Sequence, residues 1–330
     1  MPWEIQQRNG IHLPQIGWWL DASRPVARSF VTHAHSDHIA GHREIVCTAA
    51  TARLMRTRVS GRRTEHLLPF GQAEQLTIDC AVTLLPAGHI LGSAQILLEH
   101  AEHGRLLYTG DFKLRPSPAA EPCATPRADV LIMETTFGLP KYVMPPTDAV
   151  VADLLAFCRT TLAEGATPVL YAYALGKTQE LVMLLGRAGL PVMIGPQAWR
   201  ITRVYEQLGH PLPPYAEFHP TRHRGHVVIT PPQAPLLDLI NPKRTAAVTG
   251  WALDSRTRYQ YGCDAVFPLS DHADFNDLLA FVARVGPRRV LTVHGFAREF
   301  AQTLRRRGID AWALGKDNQL ELAIADEPAT

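Results

Sequence analysis

One short string limits this chain more than any other: Thr32-His33-Ala34-His35-Ser36-Asp37-His38. Three imidazoles and a carboxylate fall within six residues. They come directly after an apolar run, Arg24 to Thr32, that reads as a buried strand entered through its proline. If the strand continues, the i, i+2 spacing of His33 and His35 puts both rings on one face. A turn can then bring Asp37 and His38 to a second point beside it. Imidazole and carboxylate are the donors of divalent metal sites, and four of them this close serve two adjacent ions. Chance is a poor account, because composition alone would produce such a string about once in a thousand chains of this length.

One string cannot close two sites, so further ligands must arrive from later in the chain. His89 in Pro86-Ala87-Gly88-His89, Asp111 in Thr109-Gly110-Asp111 and His294 in Val293-His294-Gly295 each follow an apolar run. A carboxylate such as Asp111 can bridge two cations and hold them roughly 3.5–4 Å apart. Strands expected over 81–85, 95–99, 105–109 and 128–133 lead into these positions. The C-terminal ends of strands are where open α/β sheets display their chemistry.

The middle of the chain changes rhythm. After a proline-containing stretch at 139–146 come a helix (147–164), a strand (167–173), a helix (177–188), a strand (191–194) and a helix (197–208). That alternation predicts a small parallel-sheet domain. A proline-rich segment, 211–220, interrupts it before strands at 226–230 and 245–249. The last seventy residues return to the first pattern, with a strand from Ala265, a helix over 274–285, a strand over 288–293, a helix over 296–307 and a final strand pair. The expected organisation is one α/β domain, 1–140 and 260–330, interrupted by a smaller one at 141–259.

Taken in order, these motifs resemble the metallo-β-lactamase fold. Glu134-Thr135-Thr136-Phe137-Gly138, the string Leu269 to Asp274 (LSDHAD) and Val293-His294-Gly295 look like motifs A, B and C of the β-CASP nucleases. Ala174 to Glu180 is similar to a helix start in that family's insert. The resemblance covers essentially the whole chain. Motif C is His, as in the RNA-processing branch, whereas the short insert and the SDHAD string most resemble the bacterial DNA ligase-associated exonucleases, often labelled mRNA 3′-end processing factors. Motif A ends in Phe-Gly where Tyr-Gly is common.

The resemblance implies an αββα sandwich carrying a small α/β β-CASP insert, and two divalent ions per chain, Zn or Mn. His33, His35 and His89 would hold one ion. Asp37, His38 and His294 would hold the other, with Asp111 bridging and Asp21 orienting the HxHxDH ligands. A hydroxide formed between the metals would attack phosphorus, and His272, paired with Glu134, would protonate the leaving oxygen. The implied activity is that of a DNA exonuclease in end processing or repair, with a DNA ligase or helicase as partner by family association. A ribonuclease of the same fold is the alternative. A non-catalytic scaffold and a small-molecule metallohydrolase are more remote, since no ligand is missing and neither needs Glu134, His272 or the insert.

Other signals are weaker. Gly176-Lys177-Thr178 ends like a P-loop, but Tyr171 stands where its first glycine belongs, which excludes nucleotide hydrolysis of that type. Lys177 at a helix start, Ser270, Arg222 and Arg224 are expected substrate contacts. Arg305 to Arg307 reads as a solvated helix end. Tyr142, Tyr173 and Trp199 could stack unpaired bases, though core packing accounts for them too. His223 and His226 have no carboxylate nearby and read as surface residues. Net charge is only +2, but the 33 basic residues divide into 28 Arg and 5 Lys, and Arg suits bidentate phosphate binding. The five cysteines form no CxxC, so neither a disulfide framework nor a zinc knuckle is expected. No apolar run approaches the roughly 20 residues of a membrane span, and the N-terminus lacks a signal-peptide stretch. A cytoplasmic protein, away from membranes and bound to nucleic acid, DNA in preference to RNA, is the expectation.

Overall fold

The structure is a computed structural model that describes residues 2–315. Its strands form three sheets. The first has six strands in chain order, from Gln6–Gln7 to Thr64–Leu67. The second has seven. Ala73–Thr77, Cys80–Pro86, Ala94–His100 and Gly104–Tyr108 follow one another antiparallel. Val130–Glu134, Arg289–Val293 and Asp310–Ala313 then extend the sheet in parallel.

Alternation along the strands decides what faces what. In Gly104–Tyr108, Leu106 and Tyr108 pack toward the first sheet, meeting Leu20, Phe30 and Val46. Leu107 points the other way, toward Leu278, Phe281 and Leu304 of helices Phe275–Val285 and Ala297–Arg305. Leu98 and Leu97 divide in the same way. The helix Ala49–Arg56 buries Ala52, Leu54 and Met55 with Val31 and Ile45 on the far side of the first sheet. The result is an αββα sandwich.

The third sheet is wholly parallel. Its order is Tyr215–Glu217, Val192–Ile194, Val227–Thr230, Thr167–Tyr171, Lys243–Val248, Ala265–Phe267. Helices Thr147–Ala163, Lys177–Arg187 and Pro196–Gln207 cover it, as parallel crossovers require.

Several sequence expectations shift. Ala265–Phe267 pairs with Ala246–Val248, so the third sheet reaches past residue 260. The proline-rich segment 211–220 contains a strand, Tyr215–Glu217. The run 24–32 narrows to Arg28–Phe30, because Thr32 N–H donates to the Asp21 carboxylate at 2.8 Å and not to a ladder. Of the final strand pair, Asp310–Ala313 is present, and the second strand would lie outside the described residues. The short strands Ile11–Leu13, Trp18–Leu20, Glu44–Cys47 and Thr64–Leu67 carry too few residues to show a period in the sequence.

Candidate metal centre

The loops that leave the C-terminal ends of Arg28–Phe30, Cys80–Pro86, Gly104–Tyr108, Val130–Glu134 and Arg289–Val293 meet at one edge of the sandwich. They bring together most of the residues singled out above. The ligand atoms of His33, His35, His89 and Asp111 lie within 4.8 Å of one another. His35 Nδ1 is 3.0 Å from both His33 Nε2 and His89 Nε2. Asp111 Oδ2 is 3.5 Å from His33 Nε2, 3.8 Å from His89 Nε2 and 3.4 Å from His38 Nε2. Asp37 Oδ2 stands 3.5 Å from that same His38 nitrogen. Donors about 3.3 Å apart are what tetrahedral bonds of about 2.0–2.1 Å produce around a cation.

The outer nitrogen of each ring explains why the inner atoms cannot be satisfied by one another. His33 Nδ1 donates to Thr32 Oγ1 at 3.0 Å, because that hydroxyl gives its own proton to Asp21. His35 Nε2 donates to the Leu175 carbonyl at 3.1 Å, and His89 Nδ1 to the Asp271 carbonyl at 2.8 Å. His38 Nδ1 donates to Asp21 Oδ2 at 2.8 Å. Each acceptor fixes a tautomer whose lone pair points inward. The inner nitrogens of His33, His35 and His89 converge on Asp111 as lone pairs, and His38 Nε2 faces both Asp111 and Asp37, an arrangement that fits divalent cations.

The electrostatics agree. Burial pushes His33 well below its ordinary value, His35 to about 4, and His89 down as well, so these rings stay neutral as ligands must. Burial opposes the charged form of His38, but Asp111 and Asp21 on either side raise it well above the usual range. The pocket is short of positive charge.

Asp21 is the hub behind the cluster. Its carboxylate accepts from Thr32 N and Oγ1, from Tyr108 Oη at 3.0 Å and from His38 Nδ1. Its φ of 46° is left-handed, a conformation that Asp tolerates better than most residues. Gly110, with φ 54°, lets the chain pass Thr32: a Cβ there would sit 2.6 Å from Thr32 Oγ1. His294 is also left-handed, at φ 57°, and Thr135 Oγ1 holds its carbonyl at 2.7 Å. Its ring lies 5.6 Å from that of His38 and lines the same cleft as Asp37.

Beside the cluster, His272 Nδ1 donates to Glu134 Oε1 at 2.8 Å. Glu134 is wholly buried and is itself fixed by Phe112 N at 3.0 Å and Thr136 N at 3.1 Å. Burial lowers the His272 pKa, but Glu134 more than offsets this and carries it up to about 10. The ring leaves Nε2 free and lines a cleft of about 470 Å³ with His35, Asp37, Asp111 and His294.

Comparison with known proteins reads this geometry. A family model described as "Zn-dependent metallo-hydrolase RNA specificity domain" matches residues 265–314, which contain His272 and His294. The "Probable DNA ligase" of Opitutus terrae is 61% identical over 331 residues, 99% of this chain and 32% of that protein. The "5' exonuclease Apollo" of Gallus gallus is 28% identical over 275 residues, 80% of this chain and 58% of its own length. The chain belongs to the β-CASP group of the metallo-β-lactamase fold.

A further β-CASP relative is the "Transcription termination factor FttA" of Methanothermobacter thermautotrophicus, 30% identical over 217 residues, 53% of this chain and 34% of that protein. The chain spans less than two thirds of the length of each of these three relatives. A crystal structure of a protein of unknown function from Enterococcus faecalis V583 superposes with a TM-score of 0.58 at 13% identity, over 82% of this chain and 76% of that one. That likeness concerns the fold.

The β-CASP cleft does not receive the four expected substrate contacts. Lys177 is buried and donates to Glu180 Oε2 at 2.6 Å, while Lys113 donates to Glu180 Oε1 at 2.7 Å. Ser270 Oγ braces its own loop, accepting from His272 N and donating to His272 O. Arg222 and Arg224 are exposed on the turn before Val227 and do not line the cleft. His223 is buried, not superficial, because it stacks on Phe218 and bonds Thr167 Oγ1. Tyr142 is core, and Trp199 packs edge-on against Tyr215. Sequence reasoning missed the carbonyls of Leu175 and Asp271, for which side-chain identity gives no signal. It also missed Arg58, one arginine among many.

Proposed function

We propose that this chain hydrolyses phosphodiester bonds as a DNA exonuclease acting on strand ends, with two divalent ions, Zn or Mn. The observation that carries the reading is the Glu134–His272 pair set against a cluster of four tautomer-fixed imidazoles and two carboxylates. His33, His35, His89 and Asp111 would hold one ion. Asp37, His38 and His294 would hold the other, and Asp111 Oδ2 stands between the two groups. Cations there would supply a water of pKa near 7 and polarise the phosphate oxygens. His272 holds a proton on Nε2, facing the cleft, and gives it to the departing oxygen; Glu134 keeps the ring cationic and oriented.

The relation to the ligase-named protein over nearly the whole chain supports DNA as the substrate and a DNA ligase as a partner at the same ends. The five cysteines are free thiols, four of them buried, which supports a reducing compartment such as the cytoplasm. No described helix is long and apolar enough to cross a membrane. One observation favours a second reading, processing of RNA: the family model over 265–314 is described by its RNA specificity. Matched end-labelled DNA and RNA single strands, with 5′-phosphate or 5′-hydroxyl, decide between the two in Mn and in Zn. Stepwise shortening of DNA alone supports the proposal. Cleavage of RNA alone replaces it with the second reading.

A further inference from the structure

The cleft has a charge imbalance of its own. Of the described residues that line it, Arg58 is the one Lys or Arg. The neighbouring cations are committed elsewhere: Lys113 and Lys177 to Glu180, Arg115 to Asp274. Arg58 makes no ion pair among the described residues, and its Nε is buried with no hydrogen-bond partner. It follows the helix Ala49–Arg56, whose last turn anchors it through Arg58 N on Met55 O at 2.9 Å. Several buried side-chain atoms among the described residues lack a partner, but of these Arg58 alone lines the cleft, where the Asp37 carboxylate favours its charge. The guanidinium is planar, permanently charged and forked, which matches the oxygens of a phosphate diester.

A second feature comes from the inserted unit. Tyr173 lines the same cleft and is 62% exposed, an unusual state for a large ring. No aromatic neighbour packs on it among the described residues. It follows the strand Thr167–Tyr171, two residues before the Leu175 carbonyl that orients His35. The ring is therefore held by the same segment that builds the metal centre. Every base has a π-face, so an exposed ring in the cleft can stack any unpaired base.

We propose that Arg58 and Tyr173 form a nucleotide subsite, Arg58 gripping a backbone phosphate of the substrate strand and Tyr173 stacking one of its unpaired bases. The subsite rests on the reading of the chain as a nuclease and adds a substrate class to it. Strands must be single at the cleft, and sequence is indifferent, since both contacts go to features that all nucleotides share. The volume of about 470 Å³ lies in the range of ligand-binding clefts, roughly 300–1,000 Å³.

The test uses the full chain loaded with Mn or Zn and end-labelled single strands, comparing wild type with Arg58→Ala, Arg58→Lys, Tyr173→Ala and Tyr173→Phe. Metal content confirms that each variant keeps its centre. Arg58→Ala should raise KM about 10-fold or more, with the larger part of the effect on KM and not kcat, and Arg58→Lys should recover only part of it. Binding measured in chelator, without cleavage, should lose about 0.7 from its log–log salt slope, one single-strand phosphate. Tyr173→Ala should raise KM about 5-fold or more, and Tyr173→Phe should restore it, because the ring stacks and the hydroxyl does not. Wild-type KM and salt slope in Arg58→Ala, or Tyr173→Phe as weak as Tyr173→Ala, would overturn the subsite while the nuclease reading stands. If the wild type neither binds nor cuts any strand, both fall together.

Discussion

Asp21→Asn isolates the part played by the carboxylate behind the ligands. Asn is the right probe, because it tolerates the left-handed backbone at φ 46°, where Ala would add strain. Four donors converge on the carboxylate, one on Oδ1 and three on Oδ2. An amide can turn its oxygen toward the three, which keeps the His38 tautomer. Its NH2 must then face the Thr32 N–H, and that donor is left buried without an acceptor. One such loss costs about 1–3 kcal/mol. The negative charge that makes His38 a stronger base also disappears. Loss of a group behind a metal ligand lowers affinity about 10–100-fold, which is about 1.4–2.7 kcal/mol, the same scale as the single lost hydrogen bond. The assay is competition with a chromophoric chelator for zinc, wild type against Asp21→Asn. The variant should stay folded and release the more weakly held ion at about 10–100-fold lower chelator concentration. If Asp21→Asn keeps both ions with wild-type affinity, the hydrogen bonds at Asp21 do not govern the ligands, and the argument from fixed tautomers fails.

Four further outcomes follow from the structure. Asp37→Ala and His89→Ala should each hold one ion fewer by elemental analysis and cut no nucleic acid; a fully metallated, fully active Asp37→Ala protein would sink the ligand assignment. His272→Ala should keep both ions yet lose about 10²–10⁴-fold in turnover, and an ion lost with it would place His272 among the ligands. The His272 pKa lies above its ordinary 6.5, at about 10, so its proton is present at neutral pH and lost as pH rises through that value. Glu134→Gln should move this alkaline limb to lower pH, widening the variant's deficit between pH 7 and 9; parallel profiles would break the link between the pair. Glu180→Gln leaves two buried ammonium groups, Lys113 and Lys177, sharing a neutral amide. It should cost about 3–5 kcal/mol in denaturant titration, and a variant within about 1 kcal/mol of wild type would show the cluster to be dispensable.

The string around His33 was legible because its chemistry is local: ligand types at short spacing need no knowledge of the fold. His89, Asp111 and His294 were readable for a related reason, since each follows a strand and strand ends gather at one edge. The limits are also physical. Lys177 looked like a free cation at a helix start because its partner carboxylate is shared with Lys113, and nothing in the sequence ties residue 113 to residue 180. The length of the strand before the metal string was misjudged because the ladder stops where Asp21 captures Thr32 N–H. The carbonyls of Leu175 and Asp271 were invisible, since a backbone acceptor has no residue type. His223 looked polar and superficial until its ring found Phe218 and Thr167.

The Leu175 carbonyl carries a consequence for how a polymer can reach the metals. His35 belongs to the candidate metal cluster of the sandwich, but its orientation is held by a peptide group of the insert. The neighbouring Glu180 ties that same insert to Lys113 of the sandwich through a buried ion pair. An insert that swung aside to admit a duplex would release the His35 ring and loosen the centre it serves. The hydrogen bond to Leu175 and the ion pair at Glu180 thus make the position of the insert and the orientation of the His35 ring one linked variable: a shift of either is felt by the other.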